Sequence, residues 1–147
     1  MTFAKAVRQT MDLKPCLKVG LQALGANSKK ISVPKNETKN LEGSVDLDTC
    51  VKNKYPNDRR WDYVLGYRSR VYYVEIHPAG TSEVGVVIAK LSWLKQWRKQ
   101  SSALESLHNK SSYHWIASKG INITKNSKYR RMLDMAGIVG PCSRLDL

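Results

Sequence analysis

The densest runs of aromatic and β-branched residues are Trp61–Tyr67 and Val71–Ile76, and they predict two strands. Arg68-Ser69-Arg70 lies between them, so a hairpin is the natural connection, and Pro78-Ala79-Gly80 ends the second strand. From about Glu83 to Gln100 the apolar positions shift to a helical period, with Thr81 or Ser82 able to cap the first turn. Ser101–Ser112 either continues that helix or forms another turn. Tyr113–Ser118 reads as a strand stopped by Gly120, and Ser127–Met135 as a short basic helix ending at Gly137.

The pattern is softer on either side. Residues 3–25 read as helical, in one piece or in two broken near Pro15, with Leu13, Cys16, Leu17, Val19, Leu21 and Leu24 as apolar positions. Lys30–Pro34 is a short strand and Lys35–Gly43 a polar loop. Ser44–Asp48 alternates, Thr49–Lys54 is strand or one helical turn, and Tyr55-Pro56-Asn57-Asp58 is turn chemistry. The tail from Gly140 reads as irregular. The order of elements predicts one domain of mixed α/β class over residues 1–147.

A polar residue interrupts the helical pattern. On a wheel of about 100° per residue, Lys90 falls within the arc of Val87, Leu91, Leu94 and Trp97, near Glu83. A lysine there either snorkels from the edge of the arc or is held toward an anion.

Charge changes the picture next. The net charge is +13, and residues 90–131 carry ten Lys or Arg against one acid, Glu105. A one-sided cationic surface attracts polyanions, of which nucleic acid is the commonest, with DNA favoured over RNA. No run approaches the roughly 20 apolar residues that span a bilayer, so no membrane partner is expected. The start lacks the apolar core of a signal peptide, and the three cysteines (Cys16, Cys50, Cys142) have no metal-knuckle spacing. Reduced thiols in a cytoplasmic protein are the expectation.

The chemistry gathers around the hairpin. Side chains alternate along a strand, so Glu75 and His77 share a face. If Tyr67 pairs with Arg70, Asp62 falls opposite Glu75, with Cβ atoms about 5 Å apart. An odd loop without a bulge would put the two acids on opposite faces. Two carboxylates that close repel each other, and a divalent cation between them offsets the repulsion. The helix after the second strand packs back on the sheet, which brings Lys90 within reach of the pair.

Asp62, then Glu75-Ile76-His77, then a helix and the strand Tyr113–Ser118, resembles the PD-(D/E)XK nuclease superfamily over roughly residues 44–120. That superfamily has a restriction-endonuclease-like core of helix, strand hairpin, strand, helix and strand, with an acid on one strand and (Asp/Glu)-x-Lys on the next. Carried over, Asp62 matches the first acid and Glu75 the second, and both would hold Mg²⁺ or Mn²⁺. His77 stands where the superfamily usually has lysine, as an auxiliary ligand or base. Lys90 fits a lysine migrated to the following helix. The resemblance implies metal-dependent hydrolysis of phosphodiester bonds and allows a homodimer. Arg68, Arg70, Lys95, Arg98, Lys99, Lys119, Lys125 and Lys128 are the phosphate-contact candidates.

Each residue also has a plain structural role available. Asp62 can pair with Arg59 or Arg60, Glu75 with Lys90 alone, and His77 can hold a turn. Asp46 and Asp48 serve as an extra ligand or as turn and cap residues, and Trp93, Trp97 and Trp115 as core. Two other functions stay open: a nuclease-like module that binds nucleic acid without cutting it, and a protein whose charge serves an acidic protein partner.

Overall fold

The structure is a computed structural model that describes residues 1–147. Helix α1 (Phe3–Arg8) starts at Thr2, whose hydroxyl accepts from Lys5 N at 3.2 Å. Two 3₁₀ segments, Lys14–Cys16 and Gln22–Lys30, lead to the two-residue strand β1 (Ile31–Ser32). Strand β2 (Leu41–Asp46) runs directly into α2 (Leu47–Val51). Then come β3 (Tyr63–Tyr67), β4 (Arg70–Gly80), α3 (Val84–Arg98) and α4 (Ser102–Glu105). The chain finishes with β5 (Ser111–Asn122), α5 (Lys128–Ala136), β6 (Ile138–Cys142) and β7 (Leu145–Asp146).

The main sheet has the order β2-β3-β4-β5-β6. Its first three strands form an antiparallel meander, and β5 and β6 add in parallel. A separate parallel pair joins β1 to β7. Alternation along the strands feeds two cores. Val64, Tyr73 and Trp115 face the larger one, built with α1, α2, α3, α4 and α5. Leu65, Val74 and Ile116 face a smaller one, closed by Leu24, Ile31 and Leu145. The α-helices therefore cover one face, and irregular chain covers the other.

The mixed α/β expectation holds, and the hairpin turn has two residues, Arg68 and Ser69. Both have positive φ, at 48° and 63°, as a two-residue turn joining twisted strands requires. Helix α3 falls where the periodicity put it. Three expectations are corrected. The stretch 3–25 is α-helical only through Arg8, with 3₁₀ segments at Lys14–Cys16 and from Gln22 onward. Beyond Arg8 the Thr10 hydroxyl bonds Ala6 O at 2.8 Å and Ser101 Oγ at 2.7 Å, and Pro15 opens a 3₁₀ turn. The tail is ordered: β6 pairs with β5, and β7 with β1. Pro141 is tolerated because β6 is an edge strand. Finally, Cys16 and Cys50 form a disulfide across a separation of 34 residues, so only Cys142 keeps the free thiol expected of all three. No helix is long and apolar enough to cross a membrane.

Candidate active site

Register decides where the acids go. Tyr67 pairs with Arg70 and Tyr63 with Val74, so Asp62 stands opposite Glu75, one position beyond the ladder. Asp62 shares its parity with Val64, and Glu75 and His77 share theirs with Tyr73, so all three point toward the helix-covered face.

Crossed bonds lock the two acids together. Asp62 N donates to Glu75 Oε1 at 3.1 Å, and Ile76 N donates to Asp62 Oδ2 at 3.0 Å. Lys90, descending from α3, bonds Glu75 Oε2 and lies 3.6 Å from Asp62 Oδ1. His77 sits between carboxylates, with Nδ1 3.4 Å from Glu75 Oε2 and Nε2 2.9 Å from Glu83 Oε2. Trp115 Nε1 donates to His77 O at 3.1 Å and fixes the backbone there.

The electrostatics follow from burial and proximity. The Glu75 side chain is 0% exposed and that of Asp62 21%. Burial, joined by the negative charge of Glu75, pushes Asp62 up to about 7 against the pull of Lys90. The bond to Glu75 raises the His77 pKa; burial opposes it and Glu83 adds to it. Burial works against the Lys90 ammonium, yet Glu75 and Asp62 outweigh it and raise its pKa above the ordinary lysine value.

Three of the four carboxylate oxygens are already engaged. Asp62 Oδ2 and Glu75 Oε1 accept backbone amides, and Glu75 Oε2 accepts Lys90, which leaves Asp62 Oδ1 with only the 3.6 Å approach of Lys90. No group of three or more His, Cys, Asp or Glu side chains forms a ready cage. A Mg²⁺ or Mn²⁺ ion characteristically takes one or two carboxylates and completes its shell with water and substrate oxygens; here Asp62 Oδ1 is the one carboxylate oxygen of the pair with no hydrogen bond, and Glu75 could reach an ion only through oxygens already engaged.

Neighbouring residues are accounted for. Asp62 pairs with neither Arg59 nor Arg60; Arg60 instead bonds Asp48 at 2.8 Å. Asp46 caps α2 through Thr49 N at 3.0 Å. Asp48 N donates to Asp62 O at 3.2 Å, which ties α2 to the site. Trp97 and Trp115 are buried, and Trp93 stacks on Trp97. Glu83 is the site residue that sequence reasoning did not assign a role; its nearness to Lys90 on the helical wheel was the available signal.

The structure brings together Asp62, Glu75, His77 and Lys90, but it disperses the cations. Arg68 and Arg70 lie at the hairpin tip, where β4 begins, whereas Glu75 is at the middle of that strand, and Arg68 pairs with Glu37. Lys119, Lys125 and Lys128 are exposed beyond the site end, where His77 pairs with Ala117. Lys95 is on the second half of α3 and Lys99 is its C-cap. The Arg98 side chain is 6% exposed, with Nε on Glu105 Oε2 at 3.0 Å and Nη1 on the Tyr113 hydroxyl. No protein-family profile, curated protein or solved structure matches the chain.

Proposed function

We propose that this protein is a metal-dependent nuclease with a restriction-endonuclease-like core. The observation that carries the reading is the meeting of Asp62, Glu75 and Lys90 on the helix-covered face of the sheet, two acids and one cation from three stretches of chain. The succession of α1, the meander β2-β3-β4, α3 and the parallel strand β5 supports the same core. Asp62 and Glu75 would hold Mg²⁺ or Mn²⁺, which supplies Lewis-acid polarisation of the phosphate and an activated water.

The chain's own residues have separate tasks in this reading. The crossed backbone bonds fix both carboxylates before substrate arrives. Lys90 Nζ stands ready to stabilise negative charge that builds on the phosphate oxygens. His77 has a carboxylate at each ring nitrogen, a setting that suits the doubly protonated ring. It then supplies positive charge where the resembled motif has lysine, in place of the ligand or base role. The basic surface holds the nucleic acid, with DNA favoured as substrate.

The test is cleavage of plasmid, linear and single-stranded substrates in Mg²⁺ or Mn²⁺, with an Asp62→Ala/Glu75→Ala double variant as control. Cleavage by the wild type alone is expected, with Lys90→Ala slower by roughly 100-fold. Equal background in both proteins would sink the reading.

One observation favours a second reading, a nuclease-like module that binds without cutting. Glu75 is wholly buried and both its oxygens are engaged, as in a structural ion pair. Salt-sensitive binding that survives loss of both acids, with no hydrolysis by either protein, would select it.

A further inference from the structure

The second half of α3, α4 and the start of β5 enclose a cleft of about 450 Å³ that the carboxylate site does not use. Its lining includes Lys95, Arg98, Lys99 and His108, with Glu105 as the one acid. Lys90 and Lys95 lie roughly 140° apart around the helix at about 100° per residue, so the cleft opens on the opposite flank of α3 from the acids.

Three properties distinguish it from ordinary surface charge. First, three permanent cations face one carboxylate. Lys95 and Lys99 have no acidic partner within ion-pair distance, as is true of most lysines of this chain; what sets them apart is that they line one cleft together with Arg98. Second, Arg98 is built in. Glu105 and Tyr113 hold Nε and Nη1, and Nη2 has no hydrogen-bond partner within the protein. A guanidinium clamped in this way has lost its side-chain entropy before a ligand arrives. Third, the Lys95 ammonium is 5.1 Å from the centre of the Tyr113 ring, which steers it to the rim.

We propose that this cleft is a phosphate-binding site that takes a backbone phosphate of a bound polynucleotide. Arg98 forms its fixed floor, Lys95 and Lys99 close over the phosphate, and exposed His108 lies at the margin. The polynucleotide assignment rests on the nucleic-acid reading above, and the phosphate chemistry does not.

The test separates these layers and requires no cleavage. Binding of a labelled oligonucleotide is measured by anisotropy in chelator, for wild type, Lys95→Gln/Lys99→Gln, and Lys35→Gln/Lys39→Gln, which loses the same charge elsewhere. The cleft variant is expected to bind at least tenfold more weakly at about 50 mM salt, with the salt slope reduced by about 1.8 for two lost contacts on duplex. The control variant is expected to change less than twofold. In parallel, inorganic phosphate is titrated while the His108 and Tyr113 resonances are followed; they shift in wild type and not in the cleft variant. Equal losses in the two variants, with no phosphate-induced shifts, would overturn the site. Phosphate-induced shifts with unchanged oligonucleotide binding would overturn the polynucleotide assignment in favour of a free phosphorylated ligand. Loss of hydrolysis in the Asp62→Ala/Glu75→Ala variant bears only on the nuclease reading.

Discussion

Glu75 is a carboxylate taken wholly out of water, and Lys90 is what makes that tolerable. Removing one partner of a buried pair leaves the other uncompensated, which costs about 3–5 kcal/mol, whereas replacing both is close to neutral. Lys90→Met should therefore lower unfolding stability by that amount in urea titrations. Lys90→Met/Glu75→Gln should recover most of the loss. Asp62 sets a pH dependence of known sign. Its pKa is raised from 3.8 to about 7 in the fold. The native state thus keeps a proton that the unfolded chain has released, and this contribution is full below pH 3.8 and lost as pH rises through about 7. In chelator, Asp62→Asn should be more stable than wild type at pH 8 and gain nothing at pH 4. Denaturant midpoints at the two pH values would show this, and an Asn variant no more stable at pH 8 would refute it. A variant that gains stability while losing cleavage marks an acid kept for function.

At the scale of elements, the β3-β4 hairpin determines whether a site exists. Its register was legible only as two alternatives, because Arg68-Ser69-Arg70 lies between the expected strands; the pairing of Tyr67 with Arg70 and the positive φ of Arg68 and Ser69 select the two-residue turn. Lys90 was legible as a charge inside an apolar arc, whereas Arg98, which falls in the same arc and is also buried, went unremarked. The partnership of Glu83 with His77 was not, since it depends on how the 3₁₀ turn Thr81–Glu83 enters α3. Residues 9–30 misled because Leu13, Leu17, Leu21 and Leu24 fall at helical spacing. Tertiary contacts such as the Lys18–Ser44 bridge hold that stretch open instead. Strand β6 was hidden because its partner is distant in sequence and its own Gly-Pro reads as a break. Packing of α1 on the hairpin gives a further test. A Cβ on Gly66 would lie 2.6 Å from Phe3 atoms, so Gly66→Ala must displace that ring. A loss of about 1–3 kcal/mol is expected from such overpacking, measured by chemical denaturation.

For the whole molecule, the Cys16–Cys50 bond straps the N-terminal segment to α2, whose Asp48 amide holds Asp62 O. No spacing motif announced it, because the two cysteines meet only through the fold. Closing a loop of 34 residues stabilises by about 3–4 kcal/mol in the chain-entropy account. Cys16→Ser/Cys50→Ser should lose about that much in denaturant titrations, and dithiothreitol should bring wild type to the same midpoint. The hairpin and α3 do not contain the bond, so nucleic-acid binding below the melting transition should persist in the serine variant. Such bonds endure in oxidising surroundings and open in reducing ones, so the strap makes stability depend on redox conditions.

The bond from Ile76 N to Asp62 Oδ2 gives the protein an intrinsic reporter. That amide lies one step past the end of β3, so it has a side-chain oxygen where its neighbours have a strand. Whatever draws on that oxygen, a proton or a cation, changes the chemical shift and the deuterium exchange of one backbone position. A two-dimensional amide spectrum collected across pH, and then across added Mg²⁺, would read the state of the acid pair directly, with no substrate in the tube.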